Sequence, residues 1–159
     1  IQGDVGSGKT LVAALAAGQA AASGRLTAVM SPTDVLARQQ AEAIGRLLAP
    51  AGYACAALTG RDRGSARESI LADVHAGRIQ VLSGTQALYQ SDVELPDLGL
   101  IVIDEQHRFG VADRLRLTAK GEAPHMLVMS ATPIPRTLAM SVHGDMEVSI
   151  LDEKPAGRQ

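Results

Sequence analysis

The segment Gly3-Asp4-Val5-Gly6-Ser7-Gly8-Lys9-Thr10 sets two glycines, with four residues between them, directly ahead of a lysine and a hydroxyl residue. This pattern constrains the chain more than any other, because it works only as a loop between a strand and a helix. Glycines let the backbone turn its N–H groups inward around phosphate oxygens, and a helix opening at Thr10 adds the positive end of its dipole. Lys9 can neutralise the β and γ oxygens of a nucleotide, and the Thr10 hydroxyl can ligate Mg²⁺. Gly3, Gly6, Ser7, Gly8, Lys9 and Thr10 are therefore the candidate ATP-binding residues.

The rest of the chain continues as such a loop demands, with short β-type runs alternating with longer helical ones. Leu11 to Ala22 is Ala-rich and helical, with Gly24 able to stop it, and Leu26 to Met30 reads as a buried strand. Thr33 or Asp34 can cap a helix running to about Ala49, ended by Pro50 and Gly52, and Tyr53 to Thr59 is the next strand. Ser65-Ala66-Arg67-Glu68 fits a capping box for a third helix ending at Gly77. Further strands are expected at Ile79 to Leu82, Leu100 to Ile103, Met126 to Met129 and Glu147 to Leu151, with a helix from about Pro135 to His143. The class is α/β, a mostly parallel sheet with crossover helices on both faces. With 46% hydrophobic residues but no Trp, one Phe and two Tyr, its core must come from Ala, Val, Leu, Ile and Met. The lone Cys55 sits in an apolar run and reads as a small buried core residue.

A phosphate loop only binds; hydrolysis also needs a carboxylate to anchor the metal and a group to handle water. Leu100-Ile101-Val102-Ile103-Asp104-Glu105 supplies both, four apolar residues forming a strand with two acids at its carboxyl end, where open α/β sheets bind ligands. Asp104 would hold Mg²⁺ directly or through water, and Glu105 would act on the attacking water as general base or orienting group.

The 15 Lys plus Arg against 17 Asp plus Glu leave a formal charge of −2, so a strongly basic nucleic-acid-binding domain is excluded and any such contact must be local. No apolar stretch is long enough to span a bilayer and no signal peptide is visible, which gives a cytoplasmic reading. His75, His125 and His143 have no ligand spacing with each other or with Cys55. The motif begins so close to Ile1 that the amino end reads as truncated; residues 1–151 read as one domain and 152–159 as a linker toward a missing one.

Beyond the paired acids, Asp104-Glu105-Gln106-His107-Arg108-Phe109-Gly110-Val111 is similar to the corresponding motif of DExH-type superfamily 2 helicases and, within them, of the RecG-like branch. Met129-Ser130-Ala131-Thr132-Pro133-Ile134-Pro135-Arg136 resembles the same branch, as do Gly144-Asp145-Met146-Glu147-Val148-Ser149 and the Pro155-Ala156-Gly157-Arg158 tail, so the resemblance covers essentially the whole chain. The transcription-repair coupling translocases of the Mfd type are the alternative; they typically have Asp-Glu-Glu-Gln where this chain has Asp104-Glu105-Gln106-His107.

The resemblance implies a RecA-like P-loop NTPase domain that serves as the ATP-binding first motor lobe of a monomeric helicase. Its DNA side would include Pro32, Thr33, Arg38, Gln39, Gly60 and Thr85. Ser130, Ala131 and Thr132 would couple the nucleotide site to DNA, with His107 bonding across to Ser130 or Thr132. The implied partners are branched or single-stranded DNA, a second helicase domain and an upstream wedge domain. A transporter ATPase or small-molecule kinase would share Gly3 to Thr10 but not Ser130 to Thr132. A module that holds nucleotide without turnover is the third reading.

Overall fold

Leu26–Met30 (β2) has every residue buried, as expected for a strand covered on both sides. In the computed structural model, which describes residues 2–3, 8–104, 111–129 and 150–151, it lies at the centre of a five-stranded parallel sheet. Its companions are Cys55–Leu58 (β3), Val81–Gly84 (β4), Leu98–Asp104 (β5) and His125–Met129 (β6), in the order β3-β4-β2-β5-β6. The register aligns Val29 with Ser83 on one side and Val102 on the other, and Asp104 with Met129. Gln2–Gly3 (β1) pairs in parallel with Ile150–Leu151 (β7).

Alternation along these strands sorts the core into two layers. Ala28, Met30, Leu82, Ile101 and Ile103 belong to the first layer, together with Val74 and the partly buried Ile70 and Leu71 of helix α3 (Gly64–His75) and Leu117 of helix α4 (Val111–Thr118). The intervening residues Val29, Val81, Leu100 and Val102 meet Ala13, Ala14 and Ala17 of helix α1 (Lys9–Ala22) and Ile44 and Leu48 of helix α2 (Asp34–Leu48). Helices thus cover both faces, as the alternating pattern requires. The alanines of α1 allow a close approach to the sheet, and a Cβ on Gly18 would already stand 3.2 Å from Leu48 of α2.

Most element positions agree with the sequence reading, and the differences have physical causes. The proposed capping box at Ser65 to Glu68 is not used: the cap is an extended Arg63 that makes no side-chain bond, two residues before Ser65, so Ser65 falls inside the first turn. Cys55 is half-buried rather than fully buried. Apart from a short 3-10 turn at Ala49–Ala51 that follows α2, two elements were not anticipated, α4 and a 3-10 turn at Gln86–Tyr89. They pack on each other, with the Arg116 guanidinium 5.9 Å from the centre of the Tyr89 ring, so tertiary contact rather than strong local periodicity accounts for them. The helix expected at Pro135 to His143 lies outside the described residues, as do 147–149 of the last strand and the linker at 152–159.

Candidate active site at the carboxyl edge of the sheet

Crossover helices of parallel sheets run antiparallel to their strands, and this fixes where α1 begins. Its later residues Ala16, Gln19 and Ala20, with the cap Ser23, share a cleft of about 450 Å³ with Arg25, Gly99, Leu100 and His125, which stand where β2, β5 and β6 start. From Ala16 back to Lys9 the helix rises about 10 Å, and from Leu100 to Asp104 the strand advances about 13 Å. Lys9 and Thr10 therefore open the helix toward the edge at which β5 ends in Asp104.

Gly8 is the helix cap and sits at φ +95° with nothing within 4 Å of its would-be Cβ, a left-handed conformation that glycine adopts without strain. No side chain caps α1 and no acid occupies its first turn, so no carboxylate of the helix competes with an anion there. Lys9 and Thr10 are half-buried. Gly3 is described only as backbone, in register with Leu151.

Asp104 is half-buried at the end of β5, and its Oδ2 accepts a 2.9 Å hydrogen bond from Nε2 of Gln40. Gln40 was not among the sequence candidates; its neighbour Gln39 was, and Gln39 is exposed. The signal was in the helical period: Ala37, Ala41, Ile44 and Leu48 are the buried residues of α2, and position 40 lies beside them whereas 39 turns outward. The Thr10 hydroxyl and Asp104 carboxylate are hard oxygen donors of the kind magnesium takes, so the residues present suit that ion. Among the described residues no cluster of three or more His, Cys, Asp or Glu side chains could hold a metal. Gly6, Ser7, Glu105, His107, Ser130, Ala131 and Thr132 lie outside the described residues.

The candidate DNA-side residues gather at the same edge, just past β2, β3 and β4. The Ser31 N–H donates to the Gly84 carbonyl at 2.9 Å, joining the segment before α2 to the segment that carries Thr85. Thr33 is the α2 cap, its hydroxyl accepting from the Leu36 N–H at 3.2 Å. Pro32 and Thr85 are half-buried and Gly60 is exposed. Arg38 reaches across to the third segment, with its Nη2 donating to Thr59 Oγ1 at 3.4 Å and to the Asp62 carboxylate at 3.2 and 3.3 Å. Partial burial pushes the Asp62 carboxyl upward, but bonds from the Thr59 N–H and from Arg38 outweigh it and hold the group below its ordinary value. Arg38 is thus a cation already engaged by an acid.

Residues 1–141 match the DEAD/DEAH box helicase family. The ATP-dependent DNA helicase RecG of Haemophilus influenzae is 52% identical over 162 aligned residues, covering 99% of this chain and 23% of that protein; RecG of Bacillus subtilis is 50% identical and covers 100% and 23%. The chain therefore spans under a quarter of the length of these curated relatives. Among solved structures, RecG bound to a three-way DNA junction superposes with a TM-score of 0.81 at 43% identity, covering 100% of this chain and 21% of that one. The helicase domain of Pyrococcus furiosus Hef superposes with a TM-score of 0.72 at 25% identity, covering 96% and 34%. These matches bear out the RecA-like fold read from the sequence and favour a RecG-like relationship over the Mfd-like alternative. With a parallel sheet, a glycine-capped helix opening at its carboxyl edge and a family match over most of its length, this chain belongs to the DEAD/DEAH box helicases.

Proposed function

We propose that the chain is the ATP-binding motor lobe of a RecG-like DNA helicase, which hydrolyses ATP to remodel branched DNA such as stalled forks and Holliday junctions. One observation carries the reading: the opening of α1 and the acid ending β5 lie toward the same sheet edge as the segments at Thr33, Arg38, Gly60 and Thr85. Gly3, Gly6, Ser7 and Gly8 hold the phosphates through backbone N–H groups, and Lys9 balances their charge. Thr10 and Asp104 hold magnesium, which supplies charge neutralisation at the triphosphate. Glu105 takes or orients the proton of the attacking water. Pro32, Thr33, Arg38, Gln39, Gly60 and Thr85 contact the DNA backbone, where hydroxyl and N–H donors suffice without a net positive charge.

His107, with Ser130, Ala131 and Thr132, passes the nucleotide state to that surface. A second helicase domain closes over the nucleotide, and closure drives stepping; an upstream wedge domain splits the junction, and the protein works as a cytoplasmic monomer. The test is ATPase rate with and without forked DNA, in a chain carrying the flanking domains, for wild type, Lys9→Ala and Glu105→Gln. Lys9→Ala is expected to weaken nucleotide binding. Glu105→Gln is expected to keep binding and lose roughly 10²- to 10⁴-fold in turnover. A rate indifferent to forked DNA and to both substitutions overturns the proposal.

A further inference from the structure

Gln40 is joined to Asp104 by geometry that leaves little freedom in its amide. An ionised carboxylate offers only acceptors, so the amide must turn its NH₂ toward Asp104 Oδ2 and its oxygen away. That oxygen, Oε1, is buried and has no hydrogen-bond partner among the described residues. Leaving a buried acceptor unpaired is unfavourable, yet the side chain sits this way, with its 2.9 Å donor on the acid. Its backbone lies beside the buried stripe of α2, next to Ala41, so the amide is delivered by a helix packed into the core.

We infer that Gln40 is a positioning residue for Asp104: by holding Oδ2, it fixes the carboxylate plane and presents the acid to magnesium in one orientation. The inference rests on reading Asp104 as the magnesium anchor. An acid whose orientation is set by a hydrogen bond loses less freedom on binding a cation, and partners of this kind change metal affinity although they never touch the ion.

The experiment is a magnesium titration of the binding of a fluorescent non-hydrolysable ATP analogue, followed by anisotropy, in the full chain with its flanking domains. Gln40→Met keeps the length of the side chain and removes the donor; Gln40→Leu removes the donor with a shorter neutral side chain. Both are expected to raise the magnesium concentration needed for half-maximal binding by roughly 10-fold. Gln40→His restores an N–H donor and is expected to stay within about 3-fold of wild type, a rescue that mere gap filling would not give. In an Asp104→Asn background, which itself raises the magnesium requirement, Gln40→Met should add nothing further. Should both Gln40→Met and Gln40→Leu leave the requirement unchanged while Asp104→Asn raises it, the positioning role is wrong and the anchor reading stands. If Asp104→Asn leaves the requirement unchanged, the anchor reading falls and takes this inference with it. Having two donor-lacking variants keeps the comparison decisive should one of them fold poorly.

Discussion

Gly84 ends β4, aligned with Met30 on one side and Leu58 on the other, and among the described glycines it is the one where an added Cβ would meet the closest atom. A Cβ there would lie 2.3 Å from the Leu58 carbonyl oxygen and 2.8 Å from both Cγ and Cδ2 of Leu88. Favourable contacts lie near 3.5 to 4.0 Å, so the deficit against the carbonyl exceeds about 1 Å. Leu88 is fully buried and has little room to retreat, and the Leu58 carbonyl belongs to the backbone of a paired strand. Overpacking of a core typically costs about 1 to 3 kcal/mol, and a clash against backbone belongs at the upper end. For a domain of this size each kcal/mol moves the melting midpoint by about 2 to 4 °C, so Gly84→Ala should melt roughly 6 to 12 °C below wild type. Gly60→Ala is the control, since that glycine is exposed with nothing within 4 Å of its Cβ, and it should stay within about 0.5 kcal/mol. Because the Gly84 carbonyl accepts from Ser31, the same change should disturb the candidate DNA segment. The assay is urea or thermal unfolding followed by circular dichroism, and equal midpoints for the two alanine variants would refute the reasoning.

Three further outcomes are expected. Asp62→Asn should release Arg38 for a phosphate, steepening the slope of log affinity against log salt for DNA by about 0.7 to 0.9; an unchanged slope means Arg38 does not reach DNA. Thr33→Ala should lose the α2 cap seen at 3.2 Å and about 1 kcal/mol of stability by urea unfolding, with a negligible loss ruling out the cap. Burial pushes the Cys55 thiol up to about 11, so the protonated form is favoured by folding. Its contribution to stability is full below the unfolded value near 9 and declines as the pH rises toward 11,. Labelling of native protein by a thiol reagent at neutral pH should accordingly be slower than that of a urea-unfolded sample; equal rates would refute the burial argument.

How much of this was legible in the sequence depended on whether a residue's role is local. The unbroken apolar run from Leu100 to Ile103 and the alanines of α1 announce a buried strand and a closely packed helix because such patterns are local, and the lysine-threonine pair after Gly8 declares its loop for the same reason. Ser65 to Glu68 misled because it satisfies a local rule, while the left-handed Gly64 (φ +59°) and the extended Arg63 begin the helix two residues sooner. Long-range pairing was invisible. Nothing in the spacing joins Gln40 to Asp104, which are 64 residues apart, or Arg38 to Asp62, 24 apart; those pairs exist because parallel strands bring the ends of β2, β3, β4 and β5 to one side.

The opposite rim, where the strands begin, has a practical value. Its connections at Ser23-Gly24-Arg25, Gly77 to Gln80 and Gly121 to Pro124 carry none of the residues assigned to ATP or DNA. Exposed positions there, such as Ser23 and Glu122, are the natural attachment points for dyes or tethers. A probe placed on that rim would follow the proposed motion of this domain while leaving the candidate site untouched.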